Sequence, residues 1–370
     1  MKILKYISGI LVGLLFMFSG TVKAIDPLGT VYKFQDYFLA FHLSFLKNFS
    51  LPLAIILCTF EFIAGFSVFF NVKKRAGIVL VMIFMCIFTP LTLILAIANP
   101  VSDCGCFGDA IHLSNWQTFI KNIIILIPVL ILFLTRKSIE PEKSRVRKWI
   151  ILAIGSLIFI IFIFYNLRYL PVIDFLPYKV GTSIPDKMKM PEGVAGDKYE
   201  TTFIYEKGGK KKEFTLSECP SGDSTWKFIE QKSVLVSKGY RPPIHDFAIT
   251  SINNEDITEQ ILTDDKPVLL MICKKLEDVD PALLRVGFNH GYYCLGNLID
   301  FYLITSSGSD IVRKYSNGIT FCFADETTLK TMVRANPGYI LLRKGRISGK
   351  WSWANMPDNK KFSEYISNHK

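Results

Sequence analysis

Residues 76–98 read AGIVLVMIFMCIFTPLTLILAIA, without a single charge. A membrane-spanning helix needs roughly 20 predominantly apolar residues, with about 17 sufficing. Four more stretches of this texture lie in the first 170 residues, at 3–22, 51–70, 117–134 and 149–165. One such stretch can be a buried core helix, whereas five in succession point to a membrane bundle. The whole chain of 370 residues agrees: 50% is hydrophobic and only 20% charged, against about 25% charged for soluble domains. Disorder, a collagen-like chain and a coiled coil are excluded by the same figures.

The formal charge of +11 is unevenly placed. Residues 1–170 hold 16 Lys and Arg against 7 Asp and Glu, and residues 171–370 hold 27 against 25. Within the first part the excess sits at Lys2 and Lys5, at Lys73, Lys74 and Arg75, and in the loop from Arg136 to Lys148. Basic loops stay on the cytoplasmic side. The expected topology is therefore a multi-pass membrane protein with a cytoplasmic N-terminus and everything after Tyr165 exported, which in a bacterium means the inner membrane and the periplasm. The partner this charge implies is the lipid bilayer and not nucleic acid, which would need a basic stripe on a folded surface. Lys2, Lys5 and the sequence Val22-Lys23-Ala24 also suit a cleaved signal peptide, but the apolar run is long for one.

Between the first two spans, YFLAFHLSFL (37–46) is apolar but too short to cross. It is expected to lie at the interface or cap the bundle, with His42 packed or interfacial. The loop at 99–116 contains DCGCFGDAIH (103–112). Pro171, Pro177, Pro185 and Pro191 mark an irregular linker, and residues 171–239 read as linker plus a β-rich segment. There TTFIYEKGGKKKEFTL (201–216) predicts a hairpin around Gly208-Gly209. Beyond it, strands expected at 268–273, 301–305, 318–323, 338–343 and 346–351 alternate with helices at 281–289, 310–315, 326–334 and 360–368. That alternation predicts an α/β domain over 240–370.

Eight cysteines are present. Cys58 and Cys86 fall within spans, Cys104 and Cys106 in the external loop, and Cys219, Cys273, Cys294 and Cys322 in the exported part. An exported location permits disulfides. Gly105 gives Cys104 and Cys106 the backbone freedom to approach. A disulfide between them would close a small strained ring, the labile kind. Three readings stay open for the pair: a reversible disulfide, a structural role, or metal binding with His112, Asp103 or Asp109. Glu61, in the middle of the second span, is a functional-site candidate by its cost alone. The plainer reading is a packing hydrogen bond to a neighbour such as Thr89. A direct pair with Lys23 is not expected, because Lys23 lies near the end of its span. Gly65, one turn from Glu61, allows close helix approach. A relay from the Cys104/Cys106 pair through Cys58 and Cys86 to a quinone is a further reading, although buried cysteine is usually a small apolar residue.

Ser19-Gly20-Thr21-Val22-Lys23, Glu61 with Gly65, and Cys104-Gly105-Cys106-Phe107-Gly108 followed by Trp116 and Asn122 resemble the DoxX/MauE superfamily of four-helix membrane proteins. Lys121 replaces the arginine expected before Asn122. The resemblance covers 1–136, leaving 149–165 as a fifth span. It implies sulfur or thiol redox at the external face: quinone-coupled sulfur oxidation for DoxX-like proteins, and maturation of a disulfide-rich exported methylamine-utilisation dehydrogenase subunit for MauE-like ones. Joined to an exported domain, the architecture also resembles membrane proteins of Bacteroidota.

Pro242-Pro243-Ile244-His245-Asp246-Phe247, Lys266-Pro267-Val268-Leu269-Leu270 and Asn336-Pro337-Gly338-Tyr339-Ile340-Leu341-Leu342 resemble a thioredoxin-like domain of the TlpA type, with Pro337 as its cis residue. The family's Cys-x-x-Cys is missing. The equivalent stretch, CKKLEDVDPALL (273–284), holds Cys273 alone. Such a domain is expected to bind a client protein and not to exchange thiols itself, and Cys273 is expected in the core.

The expected function is a thiol-disulfide or quinone-linked redox accessory acting on exported proteins. Cys104 and Cys106 would carry the exchange, with Glu61 as a buried proton or quinone-site group. In this reading a thiolate attacks a client disulfide and electrons leave through the bundle. No cofactor is assigned from the residues alone, and quinone enters only with the redox reading. The rival is a non-catalytic membrane-anchored assembly factor with a structural Cys-Gly-Cys.

Overall fold

A computed structural model describes residues 2–101, 103–139, 145–196, 198–208, 210–215, 219, 225–237, 239–315 and 318–368. Five of its helices are long and apolar enough to cross a membrane. They are α1 (Lys2–Ile25), α3 (Ser50–Phe69, entered through a 3-10 turn at Ser44–Phe49), α4 (Lys74–Ala98), α5 (Asn115–Leu134) and α6 (Arg145–Arg168). The chain is a multi-pass membrane protein. Between α1 and α3 lies α2 (Pro27–Ala40). The short apolar helix expected at 37–46 is thus displaced toward the N-terminus. Asp26 caps α2 by accepting from Gly29 N at 2.9 Å, and Pro27 supplies its preset first residue. The chain then breaks at His42, which has φ 57° and is exposed rather than packed.

Helices α1 and α3 touch backbone to backbone. A Cβ added at Gly20 would meet Phe62 N at 2.7 Å, and one at Gly65 would meet Gly13 O at 2.6 Å. Only glycine permits this, and small residues are how spanning helices gain close packing. The basic segments collect at one end of the bundle. Lys5 donates to Ser138 Oγ at 3.0 Å, Lys148 to Asn71 O at 3.0 Å, and Arg75 to Ile139 O. Residues 140–144 of that basic loop lie outside the described residues. The opposite end carries the 99–114 loop and the rest of the chain.

After α6 come a short helix, α7 (Ile184–Met188), and a three-stranded antiparallel sheet, β1 (Lys198–Lys207), β2 (Lys210–Thr215) and β3 (Lys227–Ser237), in the order β2-β1-β3. The hairpin closes with Lys207 opposite Lys210; Gly209 is outside the described residues. The mixed α/β part follows: β4 (Thr250–Ser251), α8 (Thr258–Thr263), β5 (Val268–Cys273), α9 (Pro281–Leu295), β6 (Asp300–Thr305), α10 (Ser309–Val312), β7 (Thr320–Phe323), α11 (Glu326–Met332), β8 (Gly338–Arg343), β9 (Arg346–Ser352) and α12 (Asn359–Asn368). Its sheet runs β4-β7-β6-β5-β8-β9, with β5, β6 and β7 parallel to one another and the other pairs antiparallel.

Central strand β5 is buried on both faces, as its unbroken apolar run requires. Val268, Leu270 and Ile272 pack with Ile261, Leu329 and Met332 on one side. Leu269, Met271 and Cys273 pack with Leu284, Cys294 and Phe362 on the other. The segment expected to be a plain linker joins this core. Tyr178 and Ile184 are buried in it, and Ile184 N donates to Gly345 O at 2.9 Å. The Asn336–Pro337 peptide is cis.

Candidate functional site

The loop after α4 folds back into the bundle. Gly105 and Gly108 take left-handed conformations, with φ 65° and 53°, and Gly108 N donates to Gly105 O at 3.0 Å. This tight path sets the Cys104 and Cys106 sulfurs 3.0 Å apart, both as free thiols. Neighbouring helices hold the loop by its backbone. Tyr37 Oη donates to Cys104 O at 2.6 Å, and Lys33 pairs with Asp103 at 2.7 Å. Asp103 in turn accepts from Gly105 N at 2.9 Å.

Beneath the loop, Lys23 Nζ lies 2.7 Å from Glu61 Oε2, with both side chains 5% exposed. The expectation that these residues would not meet is overturned. It assumed that the two spans end at the same level. In fact Gly20 crosses α3 at Cys58 and Phe62, so the first turns of α3 project beyond the end of α1. Lys23, one turn past Gly20, therefore reaches Glu61. Nor is Thr89 the partner of Glu61, since its hydroxyl has no hydrogen-bond partner. Ser19 Oγ accepts from Lys23 at 2.7 Å. Its single proton faces both Glu61 Oε2 at 3.0 Å and Cys106 O at 2.9 Å. The ion pair is thus one hydrogen-bonded residue from the cysteine loop.

A cavity of about 110 Å³ brings these groups together. Leu15, Phe16, Phe34, Met85, Phe88 and Ile125 give it apolar walls, and Lys23, Glu61, Cys104, Cys106 and Lys121 are its reactive edges. Lys121 Nζ stands 4.5 Å from the centre of the Phe107 ring. Asn122 donates to Thr92 Oγ1 at 3.1 Å, tying α5 to α4.

The two thiols are electrostatically unlike. The hydrogen bond with Cys104 holds the Cys106 thiol down at about 6. Burial opposes this, and the Lys121 and Lys23 ammonium groups add to the drop. Cys104 is pushed well up by the same bond and by burial. Cys106 is half-buried and Cys104 buried.

Sequence reasoning missed a second ion-pair centre beside the loop. Arg334, just past α11, donates through Nε to Asp26 Oδ2 at 2.7 Å and through Nη2 to Asp109 Oδ2 at 2.5 Å. Its third nitrogen donates to Lys330 O at 2.7 Å. Burial disfavours its charge, but the two carboxylates outweigh that and hold it protonated. The signal for this centre was slight: an Asp-Pro start to α2 and an acid three residues past Cys106.

The other candidates separate. Asp103 and Asp109 are engaged by Lys33 and Arg334, and among the described residues no group of three or more His, Cys, Asp or Glu is arranged to hold a metal. Cys58 is buried against Ala24, Phe159 and Ile163, whereas Cys86 is exposed on α4. Cys294 and Cys322 are free and lie in the cores on opposite faces of the large sheet. Cys273 is fully buried, and burial pushes its thiol far up.

Residues 1–135 match the family model of the methylamine utilisation protein MauE. Residues 199–238, which take in the small sheet from the second residue of β1 onward, match a domain of unknown function, DUF8463. No curated protein and no solved structure matches the chain.

Proposed function

We propose that this membrane protein is a thiol-disulfide exchange accessory of the bacterial envelope, with Cys106 as attacking thiolate and Cys104 as resolving thiol. The observation that carries the reading is the 3.0 Å approach of two free thiols at the edge of a cavity with a buried ion pair. In the exchange, the Cys106 thiolate attacks a client disulfide and displaces one client thiolate. Cys104 then gives up its proton and attacks Cys106, forming the Cys104–Cys106 disulfide and releasing the second client thiolate. Two electrons pass to the client.

That electron count reverses the expected direction: a pair that attacks a client disulfide delivers electrons outward. The reverse exchange oxidises a client dithiol, and the relative potentials of the two couples decide between them. In this reading Glu61, linked to the loop backbone through Ser19, is the buried carboxylate that takes up the proton. In the reverse, oxidising direction a quinone is the class of electron acceptor that the redox reading offers.

In the same reading the cytoplasm holds the basic end of the bundle, and the exported α/β part is a thioredoxin-like module that recognises the client. Its parallel β5-α9-β6 unit and the antiparallel β8-β9 pair after Pro337 support that assignment. The module has no dithiol of its own, which leaves the chemistry to the bundle.

The test is thiol trapping in intact cells with a membrane-impermeant reagent, before and after reductant. Cys106 should be labelled from outside after reduction, and Cys104→Ser should accumulate a mixed disulfide with a second protein. A pair that keeps one redox state under every growth condition would overturn the reading in favour of a structural staple.

A further inference from the structure

A second pocket, of about 360 Å³, lies between α2 and the α/β part. Its volume equals the share of roughly a dozen liquid waters. Five cations and two carboxylates line it. One of the carboxylates, Glu326, is already paired with Lys330 at 2.8 Å.

Lys274 is the unusual member. It is 7% exposed. Three other side chains are buried as cations, and each rests on a carboxylate: Lys23 on Glu61, Arg334 on Asp26 and Asp109, and Lys350 on Asp174. Among the described residues Lys274 has no such partner. Its ammonium donates to the Tyr32 hydroxyl at 2.8 Å and to Arg334 O at 3.3 Å, both neutral acceptors. Burial pushes it down to about 7, and the neighbouring Arg334 guanidinium adds to the drop. A buried charge is costly unless paired, and here the missing partner faces a cavity with room for one.

We propose that this pocket binds a carboxylate, with the Lys274 ammonium as its ion-pair partner. A carboxylate fits better than a phosphate dianion, because Asp278 and Glu326 stand in the same lining and repel further negative charge. The carboxylate is carried either by a small organic acid or by an acidic side chain of a polypeptide. The inference does not rest on the thiol reading, since no cysteine lines this pocket.

The experiment uses the full-length protein in lipid nanodiscs. Calorimetric titration compares butyrate with butyramide, and a blocked Gly-Glu-Gly peptide with its Gln counterpart. At least one acid should bind about tenfold or more tightly than its amide, and Lys274→Met should remove that preference. Binding of butyrate points to a free acid, and binding of the peptide alone to a polypeptide side chain. As a check that needs no variant, the binding acid should slow acetylation of Lys274 by acetic anhydride in the wild-type protein at least about threefold. Acid and amide binding alike, neither acid binding, or unchanged Lys274 acetylation would each overturn the proposal.

Discussion

Cys106 and Cys273 are both buried to some degree, yet the protein treats them oppositely. Cys106 sits on a glycine-kinked loop with a second thiol and two ammonium groups around it, and its proton is held loosely. Cys273 ends strand β5, packed against Leu284, Cys294 and Phe362, and burial pushes its thiol up. Apolar surroundings alone push a thiol up, and nearby donors and cations pull it down. The difference teaches that reactivity here follows the electrostatics around the sulfur, not which part of the chain has the more familiar outline.

The largest expected effect tests that contrast directly. At pH 7 a thiol held near 12, like Cys294 or Cys322, has only about one part in 10⁵ as thiolate. Cys106 should therefore be alkylated by iodoacetamide at least about a hundredfold faster than the thiols of the α/β part, even after allowing for the weaker nucleophilicity of an acidic thiol. Because its pKa is lowered, the rate should be level above pH 7 and fall about tenfold per unit below 6. Site-resolved mass spectrometry reads this. A flat profile down to pH 4, or parity with Cys322, would break the comparison.

Next comes the ion pair beneath the loop. Glu61→Gln leaves Lys23 buried without its carboxylate and should cost about 3–5 kcal/mol, measured by denaturation in detergent micelles. The double change Lys23→Met with Glu61→Leu should recover most of that loss. Arg334→Met strands Asp26 and Asp109. The expected cost is somewhat smaller, about 2–3 kcal/mol, because Asp109 is partly exposed and screened. Hydrogen exchange should rise at residues 103–110 and in α2, sharpening the claim that the loop is held from the α/β side. The smallest effect belongs to Lys121→Met. Removing the cation over Phe107 should cost about 0.5–1 kcal/mol and shift the Cys106 alkylation profile to higher pH.

The sequence made the five spans and the alternating strands legible because long apolar runs and period-two patterns are local signals. Cys104 and Cys106 stood out for the same reason, being neighbours on one loop. What stayed hidden was register. Whether Lys23 meets Glu61 depends on where α1 crosses α3, which Gly20 and Gly65 decide by contact. Arg334 reaches Asp26 and Asp109 across more than 200 residues, and no local pattern encodes such a meeting. The linker prolines misled in another way. They do mark irregular backbone, but Tyr178 and Ile184 between them pack into the core of the domain that follows.

Arg334 also has a mechanical meaning. One guanidinium grips Asp26, at the end of α1, and Asp109, three residues beyond Cys106. The large sheet cannot tilt away from the bundle without stretching one of these two bonds. Arg334 therefore ties the position of the large sheet to that of the cysteine loop, and a pull on either is carried to the other through one guanidinium.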